Sequence, residues 1–173
     1  MIVHEERRHL ESGPRSDEQP GGAGLVVAIL HCPANATAVL TRCREVLRVV
    51  IDHQIGRWPK VDEWRQLLPG WFVDSSSDES EEEVEQWLAE WRSLPLDRRA
   101  AAEEKRPWSL ADWLAWLEPE ERQWFWWSAS VEDDNTLRVE LEVHGSPAPM
   151  DAFTWLARAA GATSVDVGGD AVA

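Results

Sequence analysis

Tryptophan beside a carboxylate recurs in this chain, at Glu63-Trp64, Glu90-Trp91 and Asp112-Trp113. Such pairs are met where a sugar stacks in a cleft between an acid and a base. These indoles, however, recur with leucines at three- and four-residue spacing, which is the pattern of a helix packing its apolar side. Core packing is therefore the expected use, with the neighbouring carboxylate accepting from the indole N–H.

Other catalytic arrangements are missing from the sequence. There is no G-x-S-x-G, and the run Ser75-Ser76-Ser77 lies in an acidic stretch, away from any general base. Cys32 follows His31 directly, so on a strand the two side chains point to opposite faces. Cys43 falls on the apolar stripe of an expected helix and reads as a small buried residue. Two cysteines without CxxC spacing indicate neither a zinc knuckle nor a disulfide framework. His4, His9, His31, His53 and His144 are dispersed, with no HExxH or HxH spacing to hold a metal. Gly21-Gly22-Ala23-Gly24 precedes a strand instead of joining strand to helix, so it is not placed to cradle a phosphate at a helix start. No cofactor or metal is expected, and an enzyme is the less favoured class.

The strongest charge feature is Asp74 to Glu85, with seven acids in twelve residues and no base. Part of it is helix-start chemistry, since acids in a first turn complement the helix dipole. The remainder, Glu79, Glu81, Glu82 and Glu83, is either solvated loop or a docking surface for something basic.

Composition narrows the partners. The chain has 173 residues, 32 acidic against 17 basic, and a formal charge of −15. That field repels phosphate backbones and anionic lipid, and the basic residues, Lys60, Lys105 and scattered arginines, make no compact patch. Nucleic acid and membrane are therefore excluded as expected partners. The longest apolar run, Leu25 to Leu30, is far short of a bilayer span, and residues 1–8 lack the order of a signal peptide. The expected location is the cytoplasm. Apolar residues at 43% are enough for a real core. Twelve Trp against no Tyr is unusual, and eleven of the twelve lie between Trp58 and Trp127.

The elements that must position these residues follow from periodicity. Residues 1–22 are polar and broken by Gly13-Pro14 and Pro20-Gly21-Gly22, which reads as a flexible leader to a single domain over 23–170. Leu25 to Leu30 lacks alternation and reads as a strand buried on both faces. Asn35 is a plausible N-cap for a helix carrying Val39, Cys43, Val46, Leu47 and Val50, ended near Gly56. Residues 57–119 form a Trp-rich block with helical punctuation: Val61 to Leu68 before Pro69, Ser80 with Glu83 opening a helix to Pro95, and Ser109 with Asp112 opening another to Pro119. Arg122–Val131 and Leu137–His144 read as a hairpin pair around Asp133-Asp134-Asn135. A helix carrying Phe153, Leu156 and Ala160, capped by Gly161, and a last strand over 163–167 complete the chain. The order strand-helix-strand-strand-helix-strand is that of an α+β, ferredoxin-like (split βαβ) domain with an all-helical insertion at 57–119.

Register then decides where the consecutive aromatics at 124–127 point. A three-residue turn at 133–135, with Asn135 left-handed, pairs Val131 with Leu137, Ala129 with Val139 and Trp127 with Leu141. On that register Phe125 and Trp127 enter the core. Trp124 and Trp126 share the opposite, open face with Ser128, Ser130, Arg138, Glu140, Glu142 and His144. That face is expected to be covered by the insertion, covered by a second copy in a homodimer, or used to bind a partner.

The function these features favour is a small, soluble, acidic, non-enzymatic protein that binds another protein with a basic surface, as an inhibitor, immunity protein or antitoxin does. Trp124 and Trp126 are the expected anchors with Arg138, Glu140 and Glu142 around them, and Glu79, Glu81, Glu82 and Glu83 the steering charges. The alternative is an enzyme or small-ligand binder with a pocket between the sheet and the insertion.

Overall fold

The structure, a computed structural model, describes residues 3–77, 79, 81–106, 108–145 and 147–168, with the side chains at 81, 104 and 105 left aside. It is an α+β arrangement: a four-stranded open antiparallel sheet with helices. In chain order the elements are α1 (Val3–Ser12), β1 (Gly24–His31), α2 (Ala36–Asp52), α3 (Val61–Leu67), α4 (Gly70–Val73), α5 (Glu81–Ser93), α6 (Leu96–Lys105), α7 (Leu110–Ala115), β2 (Trp124–Asp133), β3 (Thr136–Val143), α8 (Asp151–Ala160) and β4 (Ser164–Gly168). The sheet order is β2-β3-β1-β4, so β1 and β3 are the inner strands. Ala28 and Leu30 on β1 lie against Val139 and Leu137 on β3, and all four side chains are buried.

Local signals explain most of these boundaries. Asn35 caps α2 by accepting from the Ala38 N–H at 3.0 Å. Ser109 caps α7 by accepting from the Asp112 N–H at 3.1 Å. Gly161 ends α8 at φ 118°, a conformation that glycine adopts without strain. The capping box expected at Ser80 lies outside the described residues.

Helices α2 and α8 cover one face of the sheet. Val39, Cys43, Val46, Leu47 and Val50 from α2 join Phe153, Leu156, Ala157 and Ala160 from α8 in a single core. The 57–119 region packs onto this helical layer. Phe72 makes edge contacts with Trp113 and Trp155 at 4.6 and 4.9 Å, and the Trp113 indole N–H donates to the Ala152 carbonyl at 3.0 Å. Gln54, two residues past the end of α2, donates to the Leu117 carbonyl, and Trp71 donates to Glu45.

Residues 3–12 fall within the stretch expected as a flexible leader. They form α1, whose Glu6, His9 and Leu10 are buried against β2 and α2. Arg122, itself buried, makes a two-pronged ion pair with Glu6 at 3.0 and 2.5 Å. The same Glu6 carboxylate accepts from the backbone N–H of Trp126 at 2.8 Å. The Glu6–Arg122 contact spans 116 residues of sequence, and this long-range pairing, absent from any local pattern, is what fixes the segment.

The hairpin register also differs from expectation, through two irregularities. Asp133 pairs with Thr136, leaving a two-residue turn at Asp134-Asn135, and a slip at Glu132 restores Val131 opposite Leu137 and Ala129 opposite Val139. Asn135 is not left-handed; Ala34 is the one non-glycine residue with positive φ among the described residues. A second slip at Trp127 then puts Trp126 opposite Leu141 and Trp124 opposite Val143. One extra residue in a strand reverses every side chain beyond it. Trp124 and Trp126 therefore point into the core, 1% and 0% exposed, with Trp124 edge-on to Phe153 at 5.5 Å. They are not surface anchors, and the expectation that placed them on the open face is overturned.

Candidate functional site

Two groups of residues expected to bind a partner remain near the surface, on different layers. The first is the row Arg138, Glu140 and Glu142 on the sheet face away from α2 and α8. The insertion packs on the helical layer instead, so it is not the cover of this face. Glu140 accepts from the Ser128 hydroxyl at 2.6 Å and from Arg138 at 2.9 Å. The Ser128 bond, with the Arg138 bond and charge, outweighs partial burial and lowers the Glu140 carboxyl from its usual range. Glu142 is 2% exposed and accepts from the Gly21 N–H at 3.2 Å and from His144 at 2.9 Å. Burial raises this carboxyl, the bonds from His144 and Gly21 lower it, and the net shift is downward. Both carboxylates are thus committed to internal partners. Glu142 ties the 21–24 loop to β3 and Glu140 ties β2 to β3, more than they offer charge to a ligand.

Gly22 shows how tightly that loop is seated. It adopts φ 58°, and a Cβ there would lie 2.4 Å from the Val143 carbonyl oxygen. Beside it, Glu5, His9, Glu18, Trp127 and Glu142 line a cavity of about 250 Å³. His9 packs edge-on to Trp127 at 4.6 Å, and Glu18 binds both Arg8 and His9.

The second group is acidic and lies on α5. Glu82, Glu83 and Glu85 are exposed on its first turns. Glu79, just before the helix, is half-buried and pairs with Arg106 at 2.5 Å. Glu81 is on the same helix, with its side chain outside the described set. One helical turn beyond Glu83 comes Trp87, and from there the surface becomes aromatic.

Arginine stacking builds that surface. The Arg106 guanidinium lies 4.1 Å over Trp87, Trp87 stacks on Trp91 at 6.2 Å, and Arg99 lies 4.7 Å over Trp91. Arg99 also donates to the carbonyls of Leu94 and Arg92, fastening α6 to the end of α5. Between this pair of helices and α7 runs a groove of about 420 Å³, lined by Trp87, Glu103, Arg106, Trp108, Asp112 and Trp116. A second hollow of about 680 Å³ continues on the other side of Arg106, past Glu79, Val84 and Leu88.

The groove was not among the expected sites, although one signal for it is visible in the sequence. Leu110, Trp113 and Leu114 form the inward stripe of α7, Leu117 just past its end is buried with them, and Trp116 between falls off that stripe. It is 45% exposed. The Trp residues beside acids divide accordingly: Trp64 and Trp113 are in the core, as helical spacing implies, and Trp91 is half-buried in the arginine stack. Among the described residues no cluster of three or more His, Cys, Asp or Glu is arranged to hold a metal ion. No described helix is long and apolar enough to cross a membrane.

Comparison with known proteins finds no family model that matches the chain, no similar curated protein and no similar solved structure.

Proposed function

We propose that this protein is a non-enzymatic acidic binding module for a protein with a basic surface, of the inhibitor, immunity-protein or antitoxin kind. The supporting observation is the adjacency of exposed Glu82, Glu83 and Glu85 to the Trp-lined groove of α5–α7. Exposed carboxylates on a chain of charge −15 accelerate encounter with a cationic partner, and a part-exposed indole supplies a contact once it docks. The binding surface in this reading has moved from the sheet to the insertion, because the sheet indoles are internal. The fold that carries it is, in this proposal, ferredoxin-like with its helical insertion between the first helix and the second strand. Its strand order places the first and third strands inside, as a split βαβ requires.

The test is affinity capture with the intact protein and a Glu82→Lys/Glu83→Lys/Glu85→Lys variant, followed by association kinetics on each partner found. A basic partner should bind wild type with an on-rate that falls steeply with salt, and the triple variant should bind at least tenfold more slowly. An on-rate indifferent to both salt and charge reversal overturns the reading.

A homodimer is the second reading. Leu25, Val27, Ile29 and Phe125 are only half-buried on the sheet face that the insertion leaves aside, which favours a second copy there. Light scattering that returns the mass of one chain across the micromolar range removes it.

A further inference from the structure

We propose that the groove between α5–α6 and α7 is a receptor for a guanidinium side chain presented by the partner. This proposal rests on the basic-partner reading and adds the chemistry of the contact. The protein already holds two guanidinium groups in this way. Arg106 is sandwiched between the Trp87 ring and the Glu79 carboxylate, and Arg99 covers Trp91 while donating to two carbonyls. In the groove that Arg106 borders, the same ingredients recur beside a guanidinium already paired with Glu79. Trp108 and Trp116 present indole surface to the groove, and Glu103 and Asp112 stand at its walls.

Charge accounting favours a cation there over a neutral or anionic guest. Arg106 is neutralised by Glu79. Asp112 accepts one hydrogen bond, from the Ser109 hydroxyl at 2.7 Å. Glu103 is exposed, and its carboxylate has no ion-pair or hydrogen-bond partner among the described residues. The groove therefore keeps an excess of negative charge beside electron-rich ring faces, which is the environment that attracts a cation. A planar guanidinium suits it better than an ammonium. It stacks flat on an indole while its edge forks to a carboxylate, and it sheds water more readily. Trp116 supports the assignment, since an indole 45% exposed at the rim is positioned to close over such a guest.

The probe is Nα-acetyl-arginine methylamide, titrated into the full chain while the indole N–H cross-peaks are followed by ¹H–¹⁵N NMR. The expected result is a saturable, millimolar shift confined to Trp87, Trp108 and Trp116. Trp116→Ala and Glu103→Gln should each weaken it about fivefold, the size of one cation–π or carboxylate contact. Both side chains are at the surface, so both variants should keep the wild-type spectrum elsewhere. The neutral citrulline analogue should not bind. Equal shifts with citrulline, a preference for methyl glucoside, or no saturation overturns the receptor. The two readings separate in kinetics. A partner slowed by reversal at 82, 83 and 85, yet released at an unchanged rate from Trp116→Ala, defeats the receptor alone. Arginine binding with no charge-dependent partner defeats the steering alone.

Discussion

Trp127 is a single residue that decides the environment of two others. Alternation from Val131 leads to Trp127 facing inward, and it fails only because the strand accommodates one extra residue at that point. Four aromatics in a row give no period to read, so nothing in the sequence marks the slip. With the indoles of Trp124 and Trp126 inside, either truncated to alanine should cost about 3–5 kcal/mol in urea unfolding, against less than about 0.5 for a surface site. Glu6 and Arg122 make a second residue-scale prediction. Glu6→Gln leaves the Arg122 charge buried and only half answered, and should destabilise by about 3–5 kcal/mol. Replacing both, as Glu6→Leu/Arg122→Met, should recover most of that loss, because two buried charges and their desolvation disappear together.

Among the elements, those whose ends carry their own chemistry were legible. Asn35, Ser109 and Gly161 delimit α2, α7 and α8 as their side-chain oxygens and backbone freedom dictate. The apolar run at 25–30 likewise announces an inner strand, although Leu25, Val27 and Ile29 are half-buried where burial on both faces was expected, and the alternation over 137–143 announces a half-buried strand. Helix α1 was not legible. Its sequence is mostly charged, and its stability comes from Arg122 and the β2 backbone, far away in the chain. Helix α6 was missed for a related reason, since it is held by arginine–carbonyl and arginine–indole contacts more than by an apolar stripe. The candidate groove shares that origin. Its residues come from three helices and from the ends and connections around them, and only the off-stripe position of Trp116 hinted at it.

Helix α1, through Arg8 and His9, is also tied to a pH-dependent contact. Arg8, the Arg15 N–H and His9 hold the Glu18 carboxyl down to about 2. An unfolded glutamate titrates near 4.3. A folded value below the unfolded one contributes stability above about pH 4.3, and that contribution is lost as pH falls towards 2. Hydrogen exchange of α1 amides, corrected for intrinsic rates, should therefore speed up across that window before the inner strands respond. Glu18→Gln should remove the dependence, and an α1 that opens only together with β1 and β3 would contradict it.

At the scale of the whole molecule, charge and aromatic surface are segregated. The carboxylates at the sheet are consumed by internal bonds to Ser128, Arg138, His144 and Gly21, whereas Glu82, Glu83 and Glu85 of α5 are exposed at the surface. Salt should therefore act mainly on encounters at the insertion. Raising ionic strength from about 10 to 150 mM, where the screening length falls from about 30 to 8 Å, should slow partner association by an order of magnitude while shifting the unfolding midpoint little.

The bond from Trp126 N–H to Glu6 has a last consequence, for how one copy of the chain meets another. Strand β2 is at the margin of the sheet, and its sequence Trp124-Phe125-Trp126-Trp127 is as sticky a border as a sheet can have. By occupying a main-chain donor there and lying along the strand, α1 serves as a guard against intermolecular strand addition. A version starting at residue 13 should bind thioflavin and scatter light within hours at concentrations where the intact chain stays clear.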